Sequence, residues 1–252
     1  MERRTVPGRL SWQLGEVVAM QEETTRAKSI TLAVPHWGGH RPGQHVDVLL
    51  TAEDGYQAER SYSIASAPKP DQRVTLTVER IDEGEVSPYL TDELRVGDQM
   101  ELRGPIGGYF VWEVQMGGPL LLVAGGSGIV PLMAMIRSWA ALGSTIPIRV
   151  LYSSRSYPEV IYRDELARLV KSNSRIEVVH TLTREQPLGW TGYHRRIDPE
   201  MLSKVAWPVD QRPLLFICGP TPFIETAATS LVTLGYEPGR IKTERFGPTG
   251  ET

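Results

Sequence analysis

A run of apolar residues that ends in a glycine-rich turn is the feature that most constrains this chain. Residues 120–123, Leu-Leu-Leu-Val, carry no polar side chain. A strand of this kind is typical of a parallel sheet covered on both faces. Gly125-Gly126-Ser127-Gly128-Ile129-Val130-Pro131 follows directly and opens a predicted helix over 131–142. This part of the chain is therefore predicted to be α/β.

The rest of the second half alternates between strand and helix patterns. Strands are predicted over 119–124, 146–152, 175–180, 213–218 and 240–243, and helices over 131–142, 158–172 and 221–234. Such alternation predicts a doubly wound parallel sheet, whose ligands bind at the carboxyl ends of the strands. Polar or glycine-rich segments follow four of those ends, at 125–128, 153–155, 183–184 and 218–220.

The first half has a different texture. Short runs rich in Val, Thr and Ile, broken by Gly, Pro and Asp, lie at 15–21, 29–34, 45–50, 73–80 and 98–102. They predict a small antiparallel β-barrel, with one helix over 87–94. The Gly/Pro cluster Met116-Gly117-Gly118-Pro119 divides the chain into predicted domains 1–116 and 117–252.

Charge and cysteine content exclude several classes of protein. The 27 basic and 30 acidic residues give a net charge of -3, so we expect no nucleic-acid partner and no membrane association. No apolar stretch is long enough to span a bilayer and no signal peptide is evident, which favours a cytoplasmic protein. Cys218 is the single cysteine, and the five histidines lack ligand spacing. We therefore predict no metal site.

Two segments in each half carry potential chemistry. The turn at 125–128 would let backbone N–H groups approach a diphosphate. Cys218, which precedes Gly219-Pro220, would face a crevice; the alternative is a buried structural cysteine. In the first half, Arg60 and Tyr62 share one strand face and offer a cation and an aromatic plane; the alternative is a solvated face. Residues 84–87, Gly-Glu-Val-Ser, predict a second anion-binding turn with Ser87 as a helix N-cap.

These motifs together resemble the ferredoxin–NADP(+) reductase superfamily of flavoproteins over nearly the whole chain. The matching segments stand in the family's order: Arg60-Ser61-Tyr62-Ser63, Gly84-Glu85-Val86-Ser87, Gly104 to Phe110, Gly125 to Pro131 with Ser127 in place of Thr, and Cys218-Gly219-Pro220. The resemblance implies an antiparallel flavin-binding β-barrel followed by a doubly wound, parallel-sheet nucleotide-binding domain.

The resemblance also implies roles for individual residues. On the flavin side, Arg60 would neutralise a phosphate and Tyr62 would pack on the isoalloxazine. Ser61 would belong to the same binding motif, and Ser63 would lie near N5. The pyrophosphate would be held by Gly84, Glu85, Val86 and Ser87. On the nicotinamide side, Gly125, Gly126, Ser127, Gly128, Gly219 and Pro220 would contact the nucleotide, and Cys218, Glu244 and Phe246 would join Ser63 at the reaction centre.

The expected coenzyme is NADPH, with NADH as the alternative. Ser154, Arg155 and Arg184, with Arg163 nearby, would read the adenosine end, and residues 153–155 contain no acid to bond a free 2′-hydroxyl.

The activity implied is hydride transfer from NADPH or NADH to FAD, rather than FMN, and then single-electron transfer to a separate carrier. That carrier would be a ferredoxin, a flavodoxin or an oxygenase component, because one cysteine cannot ligate a cluster. We interpret two small arginine clusters as solvated faces. One consists of Arg3, Arg4 and Arg9, and the other of Arg195 and Arg196. A monomer is expected. A free-flavin or small-molecule reductase and a non-catalytic flavin- or nucleotide-binding module remain alternatives.

Overall fold

The computed structural model describes residues 10–246 and contains two sheets in sequence. The first is antiparallel, with strand order β4-β3-β6-β1-β2-β5. Its strands are β1 (Gln13–Thr24), β2 (Ala27–Ala33), β3 (His45–Thr51), β4 (Gln57–Ser63), β5 (Arg73–Glu79) and β6 (Gln99–Ile106). A bridge between Ile64 and Leu76 links the chain after β4 to β5, so the two outer strands meet and the sheet curls into a barrel.

The second sheet is parallel, with strand order β11-β10-β7-β8-β9. Its strands are β7 (Leu120–Gly125), β8 (Ile148–Ser154), β9 (Ile176–Leu182), β10 (Leu214–Pro220) and β11 (Ile241–Phe246). Helices α1 (Ile129–Ala141) and α2 (Arg163–Ser172) cover one face, and α3 (Pro199–Val205) and α4 (Thr221–Thr233) cover the other. Every residue of β7 is buried, as the apolar run predicts, and the predicted fold class is confirmed.

Two predicted helices differ from the structure, and one helix was missed. The helix expected over 158–172 begins only at Arg163. Tyr162, the residue before it, has φ 59 and ψ 24, and this left-handed conformation cannot be part of a right-handed helix. The helix expected over 87–94 contains a π-helical turn, Tyr89–Glu93. Helix α3 was not predicted; Asp198 caps it by accepting a hydrogen bond from the Met201 N–H at 2.7 Å.

Some sequence features lie outside the described residues: Arg3, Arg4 and Arg9, Gly247 and the segment 248–252. Within residues 10–246, no helix combines the length and the apolar character that a membrane crossing requires.

Candidate functional site

The carboxyl edge of the parallel sheet gathers the segments that the sequence singled out there. The glycine turn 125–128 follows β7, Ser154 ends β8, Arg184 lies just beyond β9, and β10 ends at Pro220. The prediction that these segments share one edge of the sheet agrees with this arrangement. The site therefore begins as a row of strand ends in the order of the sheet.

The two glycine-containing turns touch each other through their backbones. Gly126 has φ +56, a conformation that favours glycine. A Cβ at Gly128 would lie 2.1 Å from the carbonyl oxygen of Cys218 and 2.9 Å from the amide nitrogen of Gly219. The turn after β7 can therefore approach the end of β10 only because position 128 carries no side chain.

Phe223, on the first turn of α4, covers this contact and was not predicted from the sequence. Its ring would lie 3.1 Å from a Cβ at Gly125 and 2.8 Å from one at Gly219. The available signal was weak: an aromatic residue three positions after Pro220, on a helix that opens at the edge of the sheet.

Cys218 is buried, with 1% of its surface exposed, and packs in the apolar core. The expectation that its thiol faces an open crevice is wrong for this structure. The reason is that β10 continues to Pro220, so Cys218 lies within the sheet between Ala124 of β7 and Glu244 of β11. Burial, followed by the nearby Glu244 carboxylate, raises the pKa of the thiol well above its usual value, so it is uncharged.

Glu244 and Ser63 meet across the two halves of the molecule. The Ser63 hydroxyl donates a hydrogen bond to Oε1 of Glu244 at 3.1 Å, joining β4 to β11. Burial raises the pKa of Glu244 to about 7, although the bond from Ser63 acts in the opposite direction. Two of the four predicted reaction-centre residues, Ser63 and Glu244, are thus in contact, and Cys218 lies next to Glu244 on the neighbouring strand. The fourth, Phe246, lies two residues further along β11 and is 37% exposed.

On the barrel, β4 and the turn at 84–87 also come together. Nη2 of Arg60 pairs with Oε2 of Glu85 at 2.8 Å, and the Tyr56 hydroxyl donates to Oε1 of Glu85 at 3.0 Å. The two predicted phosphate-binding elements therefore adjoin. The side chain of Glu85 is engaged by Arg60, so only its backbone N–H is available for the predicted contact.

The expectation that Ser87 caps a helix is wrong. Its hydroxyl accepts a hydrogen bond from the Ile81 N–H at 3.0 Å, and the cap position of the π-helical turn is Pro88. The Gly84 N–H donates to the Ile81 carbonyl at 2.9 Å, so it is not free for a phosphate. In the described part of the chain, the N–H groups of Glu85, Val86 and Ser87 have no acceptor.

Tyr62 offers the aromatic plane. It is partly buried, and burial raises the pKa of its hydroxyl to about 12. Ser61, between Arg60 and Tyr62, points to the other face of β4, where its hydroxyl donates to Oδ1 of Asp47 at 2.7 Å. A ring platform, a cation and three N–H donors without acceptors, all on one side of the barrel, fit a flavin with a phosphate tail.

The adenosine-end candidates are partly assembled. The Arg184 N–H donates to the Arg155 carbonyl at 2.8 Å, and both side chains are exposed and form no ion pair within residues 10–246. Ser154 is buried. Arg163 is engaged elsewhere, with Asp164 at 3.2 Å. The Glu185 N–H also donates to the Arg155 carbonyl at 3.1 Å, so the backbone after β9 is held against the end of β8.

Comparison with known proteins agrees with a flavin site on the barrel and a nucleotide site on the parallel sheet. Residues 15–111 match the family model for the oxidoreductase FAD-binding domain, and residues 122–229 match the oxidoreductase NAD-binding domain. A ferredoxin–NADP reductase B of Sorangium cellulosum is 36% identical over 180 residues, which are 70% of this chain and 72% of that protein.

A glycine betaine monooxygenase reductase subunit of Pseudomonas aeruginosa is 32% identical over 213 residues, covering 83% of this chain and 57% of the relative. The chain thus spans less than two thirds of that relative's length. Among solved structures, the FAD/NAD-binding domain of nitric oxide dioxygenase from Vibrio cholerae O1 biovar El Tor superimposes with a TM-score of 0.83, at 25% identity, over 94% of this chain and 99% of that chain.

Proposed function

The chain belongs to the ferredoxin–NADP(+) reductase superfamily, and from that membership we propose that it passes reducing equivalents from NAD(P)H through FAD to a separate redox component. The observation that carries the proposal is the hydrogen bond between Ser63 and Glu244 at 3.1 Å. It joins the flavin-binding barrel to the nucleotide-binding sheet at one point, and a reaction between two bound rings requires such a point.

When bound, FAD supplies the redox chemistry, by accepting a hydride from the nicotinamide and releasing the electrons one at a time. The chain supplies orientation and a proton-holding group. Tyr62 provides the platform for the ring, and Arg60 and the N–H groups of residues 85–87 hold the phosphates. Glu244, whose pKa burial raises to about 7, holds or releases a proton at its carboxyl group, whose Oε1 accepts the hydrogen bond from Ser63.

The division into domains 1–116 and 117–252 remains our proposal, and the two matched ranges, 15–111 and 122–229, lie on either side of it. The acceptor proposed is an oxygenase component or a ferredoxin. The name of the Pseudomonas aeruginosa relative, a monooxygenase reductase subunit, supports this class of acceptor.

The proposal is tested with the purified chain and its bound flavin. The released flavin is identified by chromatography, and NADPH- and NADH-driven reduction of cytochrome c is measured with and without ferredoxins and oxygenase components from the same cell. We expect FAD and a carrier-dependent increase in turnover. Stoichiometric reduction of a small organic compound, with no stimulation by any one-electron carrier, would contradict the electron-transfer proposal.

The exposed pair Arg155 and Arg184 is expected to set the preference for NADPH. Replacing both by alanine should lower kcat/KM for NADPH by about tenfold or more, with less than a threefold change for NADH, because a charged phosphate loses its partners. Arg175→Ala is the control, since Arg175 is exposed and directly precedes β9, at the opposite edge of the sheet. An unchanged ratio of the two kcat/KM values in the double variant would rule out this assignment.

A further inference from the structure

A second connection between barrel and sheet lies away from the Ser63–Glu244 contact, and it is centred on Arg137 of α1. Nη1 of Arg137 donates to the carbonyl of Ala65 at 2.8 Å. Ala65 follows Ser63 by two residues. A helix of the nucleotide-binding half therefore holds the barrel chain directly beside a predicted reaction-centre residue.

The guanidinium of Arg137 is fixed by a second residue of the same half. Glu165 of α2 binds it in a bidentate manner, Nε to Oε1 at 2.9 Å and Nη2 to Oε2 at 2.6 Å. Bidentate arginine–carboxylate pairs define orientation as well as distance. The direction in which Nη1 points at Ala65 is consequently set by α2.

Tyr162 lies beneath this pair and extends it. Its ring centroid is 4.6 Å from the guanidinium carbon of Arg137, and its hydroxyl donates to Oγ1 of Thr77 in β5. Its left-handed backbone, with φ 59 and ψ 24, is uncommon for a bulky residue and persists only where the surroundings hold it. Tyr162 thus adds a second bond that crosses from the sheet to the barrel.

A chain of hydroxyl hydrogen bonds continues from Tyr162 into the barrel, and every bond in it has the same donor-to-acceptor direction. Ser29 donates its proton to Oε1 of Glu23 at 2.6 Å and lies 2.8 Å from Oγ1 of Thr77. Since each hydroxyl has one proton, Thr77 must donate to Ser29 while accepting from Tyr162. Strands β1, β2 and β5 are therefore connected to α2 through a single chain of polar contacts.

Beside this connection, Ala27 and Ala65 of the barrel are buried against the apolar core of the nucleotide-binding half, and a pocket opens next to them. A cavity of about 630 Å³ opens there, and its lining includes Glu23, Ser29, Arg137 and Glu165. Elsewhere along the boundary, Phe110 packs edge-on against Phe216 of β10, with ring centroids 5.4 Å apart. Beside this opening, directional polar contacts add to the apolar packing in restricting relative movement of the two halves.

We propose that Arg137 and Tyr162 are positioning residues for hydride transfer, which they serve by holding the barrel segment 63–65 at a set place relative to the edge of the parallel sheet. The inference rests on the proposed function. A displacement of about 1 Å between reacting groups can lower a rate by about 100-fold, so small movements at this connection have large consequences.

Arg149 offers a matched control within one domain. Like Arg137, it pairs with a carboxylate, Glu177 at 2.9 Å, donates to backbone carbonyls, and stacks on an aromatic ring, Trp207 at 4.0 Å. All of these partners belong to the nucleotide-binding half. Arg149→Met therefore removes the same kinds of contact without touching the boundary.

The kinetic test is anaerobic stopped-flow reduction of the bound flavin by NADPH. In Arg137→Met we expect the limiting rate at saturating NADPH to fall about tenfold or more, while the Kd of NADPH changes less than threefold. Tyr162→Phe should show a smaller fall of the same kind, and Arg137→Lys should recover part of the rate. A limiting rate within twofold of wild type in Arg137→Met, or an equal loss in Arg149→Met, would overturn the proposal.

A distance measurement, which does not depend on turnover, accompanies the kinetic test. Spin labels at Glu53→Cys on the barrel and Lys171→Cys on α2, both exposed positions, report the distance between the halves by pulsed electron resonance. The buried Cys218 should stay unlabelled. We expect one narrow distribution in the parent and in Arg149→Met, and a broader or shifted one in Arg137→Met. Identical distributions would overturn the proposal, whereas a wild-type chain that NAD(P)H cannot reduce contradicts the proposed function only.

Discussion

Gly128→Ala is expected to destabilise the protein by about 3 kcal/mol or more and to abolish most NAD(P)H binding. The added methyl group would lie 2.1 Å from the carbonyl oxygen of Cys218 and 2.5 Å from its carbonyl carbon. Both are backbone atoms in the middle of the sheet, so they cannot rotate away as a side chain would. The turn after β7 must instead move off β10, which separates the groups predicted to bind the nucleotide. Urea unfolding and a fluorescence titration with NADPH measure the two effects.

Gly239→Ala is the matched control for this prediction. The nearest atom to its added methyl group would be 4.0 Å away, and its backbone is not in the left-handed region. We expect its unfolding free energy to stay within about 0.5 kcal/mol of wild type. If Gly128→Ala also unfolds within that margin, the close contact between the two turns does not constrain the site.

Glu244→Gln is expected to stabilise the apoprotein at pH 8 by roughly 3 kcal/mol and to have no comparable effect near pH 4. The pKa of Glu244 is about 7 in the folded chain, against an ordinary value of 4.5. Between these values the folded state holds a proton that the unfolded state has released. The wild type therefore loses stability as the pH rises from about 4.5 to about 7, and the loss is complete above that range. Glutamine remains neutral and can still accept the bond from Ser63.

Urea unfolding of wild type and variant across this pH range checks the sign and the size. Glu237→Gln is the control, because Glu237 is exposed and pairs with the exposed Arg212 at 3.1 Å. Surface pairs of this kind contribute at most about 1 kcal/mol. A difference between wild type and Glu244→Gln that is the same at every pH would show that Glu244 does not titrate with a raised pKa.

The local features of this fold were predictable from short stretches of sequence. The apolar run of β7 and the glycine turn after it lie within nine consecutive residues, 120–128, and their burial and geometry follow from residue type alone. The adjacency of the segments beyond β7, β8, β9 and β10 follows from the general rule that parallel strands end at one edge. The match to several family motifs in order then assigned the two cofactor regions.

The features that were missed depend on contacts that follow no periodic pattern in the sequence. Ser87 was expected to cap a helix, but Ile81 supplies the N–H that it accepts. The position of Cys218 within the sheet depends on β11 continuing past it as the outermost strand. No local pattern marks Arg137 as a residue that reaches Ala65, 72 positions earlier. Such contacts depend on how turns, strands and the two halves meet in space, which periodicity does not encode.

The contact between Ser63 and Glu244 spans 181 positions of the chain, and this has a consequence for biosynthesis. A ribosome synthesises the barrel and four of the five parallel strands before it completes β11. A nascent chain at that stage has most of both binding regions but lacks the carboxylate that adjoins Ser63. Translation therefore places formation of the Ser63–Glu244 contact after the synthesis of every other strand that the structure describes.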